Sequence, residues 1–197
     1  PPDTLGFSVS RKLDKLGNRC SDTAELAFDE CRVPRRNLLG QENAGFFYIM
    51  KKFEGERLVA AVASAAGSER MIQQTLEYAQ ERKAFGRPLI GFQVTRHKLA
   101  DMATQIDAAR LMVWRASWKA ATGGSFDKAE GSMSKLFAGE TAIKVTGQAM
   151  QILGGNGFTR EYPVERWARD ARIYTIFEGT SEIQRLVIAR EVLEAGS

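Results

Sequence analysis

The chain has 197 residues, 44% of them hydrophobic, and 28 Lys and Arg against 24 Asp and Glu give a formal charge of +4. That apolar share supports a real core in one large domain or in a helical domain with a small appendage, and the positive excess, spread without a basic block, suits a small anionic ligand better than nucleic acid. Cys20, Cys31 and the single His97 form neither a disulfide framework nor a zinc spacing, and no run approaches the ~20 apolar residues of a membrane span.

The chain opens Pro1-Pro2-Asp3 without an initiator methionine, which reads as a fragment or a processed chain, and no secretory pattern follows. From Gly6 to about Val33 the pattern is β-like: Phe7 and Val9 alternate with polar neighbours, and Leu26 and Phe28 share a face opposite Glu25 and Asp29. Two or three strands are expected, too few to stand alone as a sheet.

After Pro34 and a polar loop ending near Gly45 the chain turns helical. A first helix is expected from Phe46 to about Arg82, with small residues at Ala60, Ala61, Ala63, Ala65, Ala66 and Gly67, ended by Gly86-Arg87-Pro88. A second, Gln93 to Ala121, carries Leu99, Met102, Ile106, Ala109, Val113, Ala116 and Ala120 at three-and-four spacing, the stripe of a bundle helix. Gly123-Gly124 closes it; a third runs from Asp127 to Leu153, where Gly154-Gly155-Asn156-Gly157 supplies a left-handed stop. Shorter helices follow at Val164–Asp170 and Glu182–Leu193. The expected fold is mainly α, a four-helix up-and-down bundle over residues 36–197 with a β remnant over 1–35.

The densest chemical signal is Phe177-Glu178-Gly179-Thr180-Ser181-Glu182-Ile183-Gln184-Arg185. Ser181 with Gln184 three residues on reads as a capping box, which puts Glu178 on a turn beside a helix N-terminus. Local pattern alone favours reading Glu178 as an exposed loop acid beside an ordinary cap. His97 reads as structural, Trp114, Trp118 and Trp167 as packing residues, and Gly154–Gly157 is no dinucleotide fingerprint because no strand precedes it.

That loop, together with Glu81-Arg82-Lys83-Ala84-Phe85-Gly86, Gln151-Ile152-Leu153-Gly154-Gly155-Asn156-Gly157, Glu161-Tyr162-Pro163-Val164-Glu165-Arg166, Arg169-Asp170-Ala171-Arg172-Ile173, Ser21-Asp22-Thr23 and Val33-Pro34, resembles the acyl-CoA dehydrogenase family over nearly the whole chain and in the same order. The resemblance implies the end of a middle β-domain over 1–35 and all of a C-terminal helical domain over 36–197, in a homo-oligomer, a dimer or tetramer. It implies FAD as cofactor, an acyl-CoA substrate, an electron-transfer flavoprotein as electron acceptor, and a setting in the cytoplasm, or in the mitochondrial matrix of a eukaryote. By the same resemblance Arg82, Phe85, Gln93 and the Gln151, Gly154, Gly155 turn meet the flavin nucleotide of a neighbouring subunit, while Thr180 and Glu182 meet that of their own.

The implied reaction is α,β-dehydrogenation of the thioester: a carboxylate takes the α-proton while a hydride leaves the β-carbon for the flavin. Glu178 matches the family's base, and its own backbone N–H is expected to help hold the thioester oxygen; Gly179 and Arg57 match positions near the substrate. In a subset of the family the base comes instead from the first long helix, at the position of Glu56, and this sequence has both acids. The intact Glu-Gly-Thr pattern favours Glu178, leaving Glu56 to pair with Arg57 or another nearby base. An oxygen-using acyl-CoA oxidase relative, or a non-catalytic helical oligomerisation piece, are the competing readings.

Overall fold

The computed structural model describes residues 3–122 and 128–195. Gly123 and Gly124, expected to close the second helix, and Asp127, expected to open the third, lie outside the described residues, as do Pro1 and Pro2. The chain divides into two compact units, Pro1–Lys52 and Phe53–Ser197.

In the first unit, β1 (Phe7–Lys12) and β2 (Ala24–Phe28) pair antiparallel, with Phe7 opposite Phe28 and Val9 opposite Leu26. All four apolar residues therefore share one face, as the alternation requires, and the Phe7 and Phe28 rings stand 5.3 Å apart. Leu26 stays 55% and Phe28 68% exposed, so this ribbon buries little by itself. Gly6 closes its base at φ +84, where a Cβ would stand 2.2 Å from the Asp29 carbonyl oxygen.

The helical unit is built on α1 (Gly45–Glu81) from Phe53 onward, α2 (Gln93–Ala121) and α3 (Lys128–Leu153). Two buried clusters show how they run. One joins Met71 late in α1, Met102 and Ile106 early in α2, and Val145, Ala149 and Leu153 late in α3. The other joins Ala61 and Ala65 early in α1, Ala109 and Val113 late in α2, and Ala138 early in α3. Successive helices are therefore antiparallel, the up-and-down order of a bundle. The small residues Ala60, Ala61, Ser64, Ala65 and Ser68 form the buried stripe of α1, and the hydroxyls of Ser64 and Ser68 are satisfied by the carbonyls of Ala60 and Ser64, each at 2.8 Å.

The expected α2 stripe is buried from Met102 through Ala116, with Leu99 packed at its margin; Ala120, the last position of the expected stripe, is exposed. Trp114 and Trp118, read as packing residues, are instead 59% and 66% exposed; only Trp167 packs against the core. His97 is exposed as well.

Beyond Glu81 the chain does more than stop. β3 (Lys83–Ala84) and β4 (Arg87–Pro88) make a tight hairpin whose turn residues, Phe85 at φ +51 and Gly86 at φ +80, are the consecutive left-handed pair such turns need. After α3, Gly154 at φ +60 and ψ −134 turns the chain into α4 (Gly155–Phe158); the glycines do stop the helix, through a positive-φ conformation other than the expected left-handed helical one. α5 (Val164–Ala171) starts against Leu153 and leads back along α3, since Gly139 abuts the Tyr174 carbonyl. α6 (Ser181–Ala195), the fourth helix, docks beside α3 through an Arg185–Glu140 ion pair at 2.6 Å.

Candidate active site

The Ile176–Thr180 loop delivers Glu178 to one end of the helical unit. Glu178 and Gly179 have φ of +53 and +85. Left-handed backbone at a glutamate costs on the order of 1 to 2 kcal/mol, so its surroundings must impose it. Three contacts do. The N-cap of α6 is Thr180, not Ser181: the Thr180 hydroxyl accepts from Ile183 N–H at 3.3 Å, and its carbonyl accepts from Gln184 N–H at 2.9 Å. Ser181 is the first helical residue, with its side chain buried, and Gln184 folds inward instead of back to a cap, donating Nε2 to the Glu178 carbonyl at 3.4 Å. From α3, Lys135 donates Nζ to the Gly179 carbonyl at 2.5 Å. The capping chemistry the sequence suggested is present, displaced by one residue.

Both candidate bases come together here. Burial raises the Glu178 pKa first, and hydrogen bonding to and the charge of Glu56 raise it further, against Lys135 and Arg57, which lower it. Glu56, expected to pair with Arg57 or another base, is thus a neighbour of Glu178. The Glu178 Oε2 and Arg57 Nε atoms are buried without a hydrogen-bond partner, and a Cβ on Gly179 would lie 3.8 Å from Arg57 Nε. An unsatisfied acceptor and an unsatisfied donor beside this turn make a place where a polar ligand group is wanted. Glu182, exposed in the first turn of α6, has its pKa lowered by its own backbone N–H and by Thr180.

Arg82, Phe85, Gln93, Gln151, Gly154 and Gly155 assemble elsewhere. The Tyr78 hydroxyl donates to the Leu153 carbonyl at 3.3 Å and accepts from Asn156 Nδ2 at 2.9 Å, which brings the end of α1 beside the glycine turn after α3. Arg82, Gln93 and Gln151 are exposed there, Phe85 is 96% exposed, and a Cβ on Gly86, Gly154 or Gly155 would meet nothing within 4 Å. Along α1, Arg82 lies about 37 Å from Arg57 at 1.5 Å per residue. The sequence-predicted site residues therefore fall into two groups at opposite ends of the unit. Among the described residues no cluster of acids, His and Cys could hold a metal ion, and no helix is long and apolar enough to cross a membrane.

A family model for the acyl-CoA dehydrogenase C-terminal domain matches residues 43–193. The chain belongs to the acyl-CoA dehydrogenase family. Among similar proteins, the mitochondrial short-chain specific acyl-CoA dehydrogenase of Sus scrofa is 46% identical over 196 residues, 99% of this chain and 47% of that protein. A crystal structure of a probable acyl-CoA dehydrogenase from Mycobacterium abscessus superimposes with a TM-score of 0.94 at 46% identity, covering 97% of this chain and 50% of that one. PigA, solved with FAD and proline, gives 0.91 at 29% identity, covering 96% and 49%. The chain spans about half the length of the relatives it matches.

Lys135 and Gln184 are the residues of this acyl-CoA dehydrogenase chain whose part in the loop sequence reading missed. The signal for Lys135 was there. It stands three residues before Ala138 and continues back the three-and-four stripe Ala138, Ala142, Val145, Ala149, so a lysine falls on the buried face of α3, where it is 2% exposed.

Proposed function

We propose that the whole protein dehydrogenates acyl-CoA thioesters between the α and β carbons, with Glu178 as the base that takes the α-proton. The observation that carries this is the loop: a glutamate in left-handed backbone, its carboxyl pKa raised by burial and by Glu56, beside the unpartnered Arg57 Nε. A raised carboxylate pKa makes a better base for a weakly acidic carbon, and a nearby cation steadies the negative charge that develops on the thioester oxygen. Gly179, next to the base in the same turn, borders the thioester with its main chain, and Arg57 orients it.

The residues present fit FAD. Open glycine backbone at Gly154 and Gly155 lets phosphates approach closely, exposed Arg82 is free to pair with them, and the protruding Phe85 offers a ring face to stack on; Gln93 and Gln151 flank them. At the other end, Thr180 and Glu182 open α6 beside Glu178. Bound FAD supplies the hydride acceptor that no side chain can provide. With about 37 Å between the ends, from the helical rise, the two groups serve different flavins, which makes the enzyme a homo-oligomer in which each subunit completes its neighbour's cofactor site. An electron-transfer flavoprotein takes the electrons onward, in the cytoplasm.

The test is made on the full-length protein. Purified enzyme should carry a flavin absorption that bleaches anaerobically on adding an acyl-CoA. A colourless protein, or flavin that no acyl-CoA bleaches, would sink the proposal. Turnover with oxygen alone, without a flavoprotein acceptor, would instead point to an oxidase.

Arg82→Ala in the full-length enzyme should lower the flavin retained through gel filtration while leaving the thermal midpoint of the apoprotein unchanged, because Arg82 is exposed and its backbone hydrogen bonds to Tyr78 and Leu89 survive the change. Equal flavin content in both proteins would remove Arg82 from the site.

A further inference from the structure

We propose that Lys135 is a positioning residue for the base: its ammonium, brought from the buried face of α3, clamps the Gly179 carbonyl and so fixes the direction in which Glu178 points. The inference rests on Glu178 being the base. Lysine normally keeps its head in water while its stem packs, yet Lys135 is 2% exposed and its Nζ ends on the Gly179 carbonyl at 2.5 Å. Holding an ammonium there costs more than an apolar chain of the same length would, so bundle packing alone does not account for it.

The loop explains the charge. Two consecutive residues with positive φ, Glu178 and Gly179, turn their carbonyls away from any helical or strand partner. Those carbonyls accept instead from two buried side chains, Gln184 Nε2 from α6 and Lys135 Nζ from α3. Gly179 is required at the crossing, because a Cβ would lie 2.1 Å from Gln184 Nε2 in a backbone region that disfavours side chains. The charged groups facing Lys135 are Glu178 from the loop, Arg57 from α1 and Glu182 from α6. Burial draws the Lys135 pKa down to about 8, Glu178 and Glu182 resist that, and Arg57 adds to it. The cation in turn counters the burial that lifts Glu178.

The experiment compares Lys135→Met, Lys135→Gln and Glu178→Gln in the full-length holoenzyme by two readouts. One is exchange of the substrate α-proton with deuterated solvent as a function of pH; the other is backbone deuterium uptake of the 176–181 segment without substrate. Lys135→Met should slow α-proton exchange by roughly 10- to 100-fold, the scale set by an ångström of misplacement. It should also speed deuterium uptake by the loop and move the acid limb of the pH profile upward, because the cation that lowers the Glu178 pKa is gone. Lys135→Gln, which keeps a donor without the charge, should restore loop protection but leave the acid limb raised. Wild-type loop uptake together with a wild-type pH profile in Lys135→Met overturns the proposal. So does loss of the bundle in both lysine variants, since the side chain would then belong to the core. If Glu178→Gln retains α-proton exchange, the base assignment falls first; if it abolishes exchange while the lysine variants behave as wild type, only the clamp falls.

Discussion

Glu178→Gln in the full-length enzyme is expected to slow single-turnover flavin reduction by about 10²- to 10⁴-fold or more, the range set by loss of a positioned general base. The amide keeps the volume of the carboxyl, and the main chain of the turn is held through its carbonyls by Gln184 and Lys135, so substrate binding should persist. Glu56→Gln removes a neighbour that raises the Glu178 pKa. It should lower the acid limb of the pH profile and change the rate at neutral pH far less. Should Glu56→Gln abolish α-proton exchange while Glu178→Gln leaves it near wild type, the base is the helix glutamate. The stability effect has the opposite sign to the catalytic one. The folded-state pKa of Glu178 is raised, so its stabilising contribution is complete below the unfolded carboxyl pKa and is lost as pH rises through the raised value. At neutral pH the ionised side chain is therefore a burden on the fold, and Glu178→Gln should keep or raise the thermal midpoint while activity collapses.

Ile106→Ala should destabilise the helical unit by about 2 to 5 kcal/mol, the usual cost of emptying a well-packed site. Ile106 is 4% exposed and shares a cluster with Met71 of α1, Met102 of its own helix, and Val145, Ala149 and Leu153 of α3. Backbones of three helices surround the cavity, so it cannot close by moving one side chain. Leu99→Ala, at the margin of the same cluster, should cost distinctly less, because water reaches part of the vacated space. Chemical denaturation of the two variants gives the comparison directly; equal losses would mean that the cluster boundary is misplaced.

The long elements were legible because each repeats a short-range rule many times. Helix α2 follows from apolar residues at three-and-four spacing, and its observed limits, Gln93–Ala121, coincide with the pattern. The β1–β2 ribbon follows in the same way from two-residue alternation. The hairpin after α1 was missed because its turn puts a phenylalanine, Phe85, at positive φ, where sequence rules look for glycine or asparagine. Trp114 and Trp118 were misjudged because hydrophobicity alone does not distinguish the inner from the outer face once a helix already has a sufficient buried stripe.

For the candidate site, the Glu-Gly-Thr loop and the glycine turn after α3 stood out in the sequence, since a capped helix start and clustered glycines are local signals. Four things needed the tertiary structure: that Glu56, 122 positions before Glu178 in the numbering, helps to raise the Glu178 pKa; that the cap belongs to Thr180; that Lys135 reaches the Gly179 carbonyl; and that the proposed cofactor residues divide between two ends of one unit. Periodicity and capping depend on neighbours a few residues away, so the chain itself determines them. Burial of a charge, and the pKa that follows from it, depend on which distant helices meet around it, and only the folded bundle decides that.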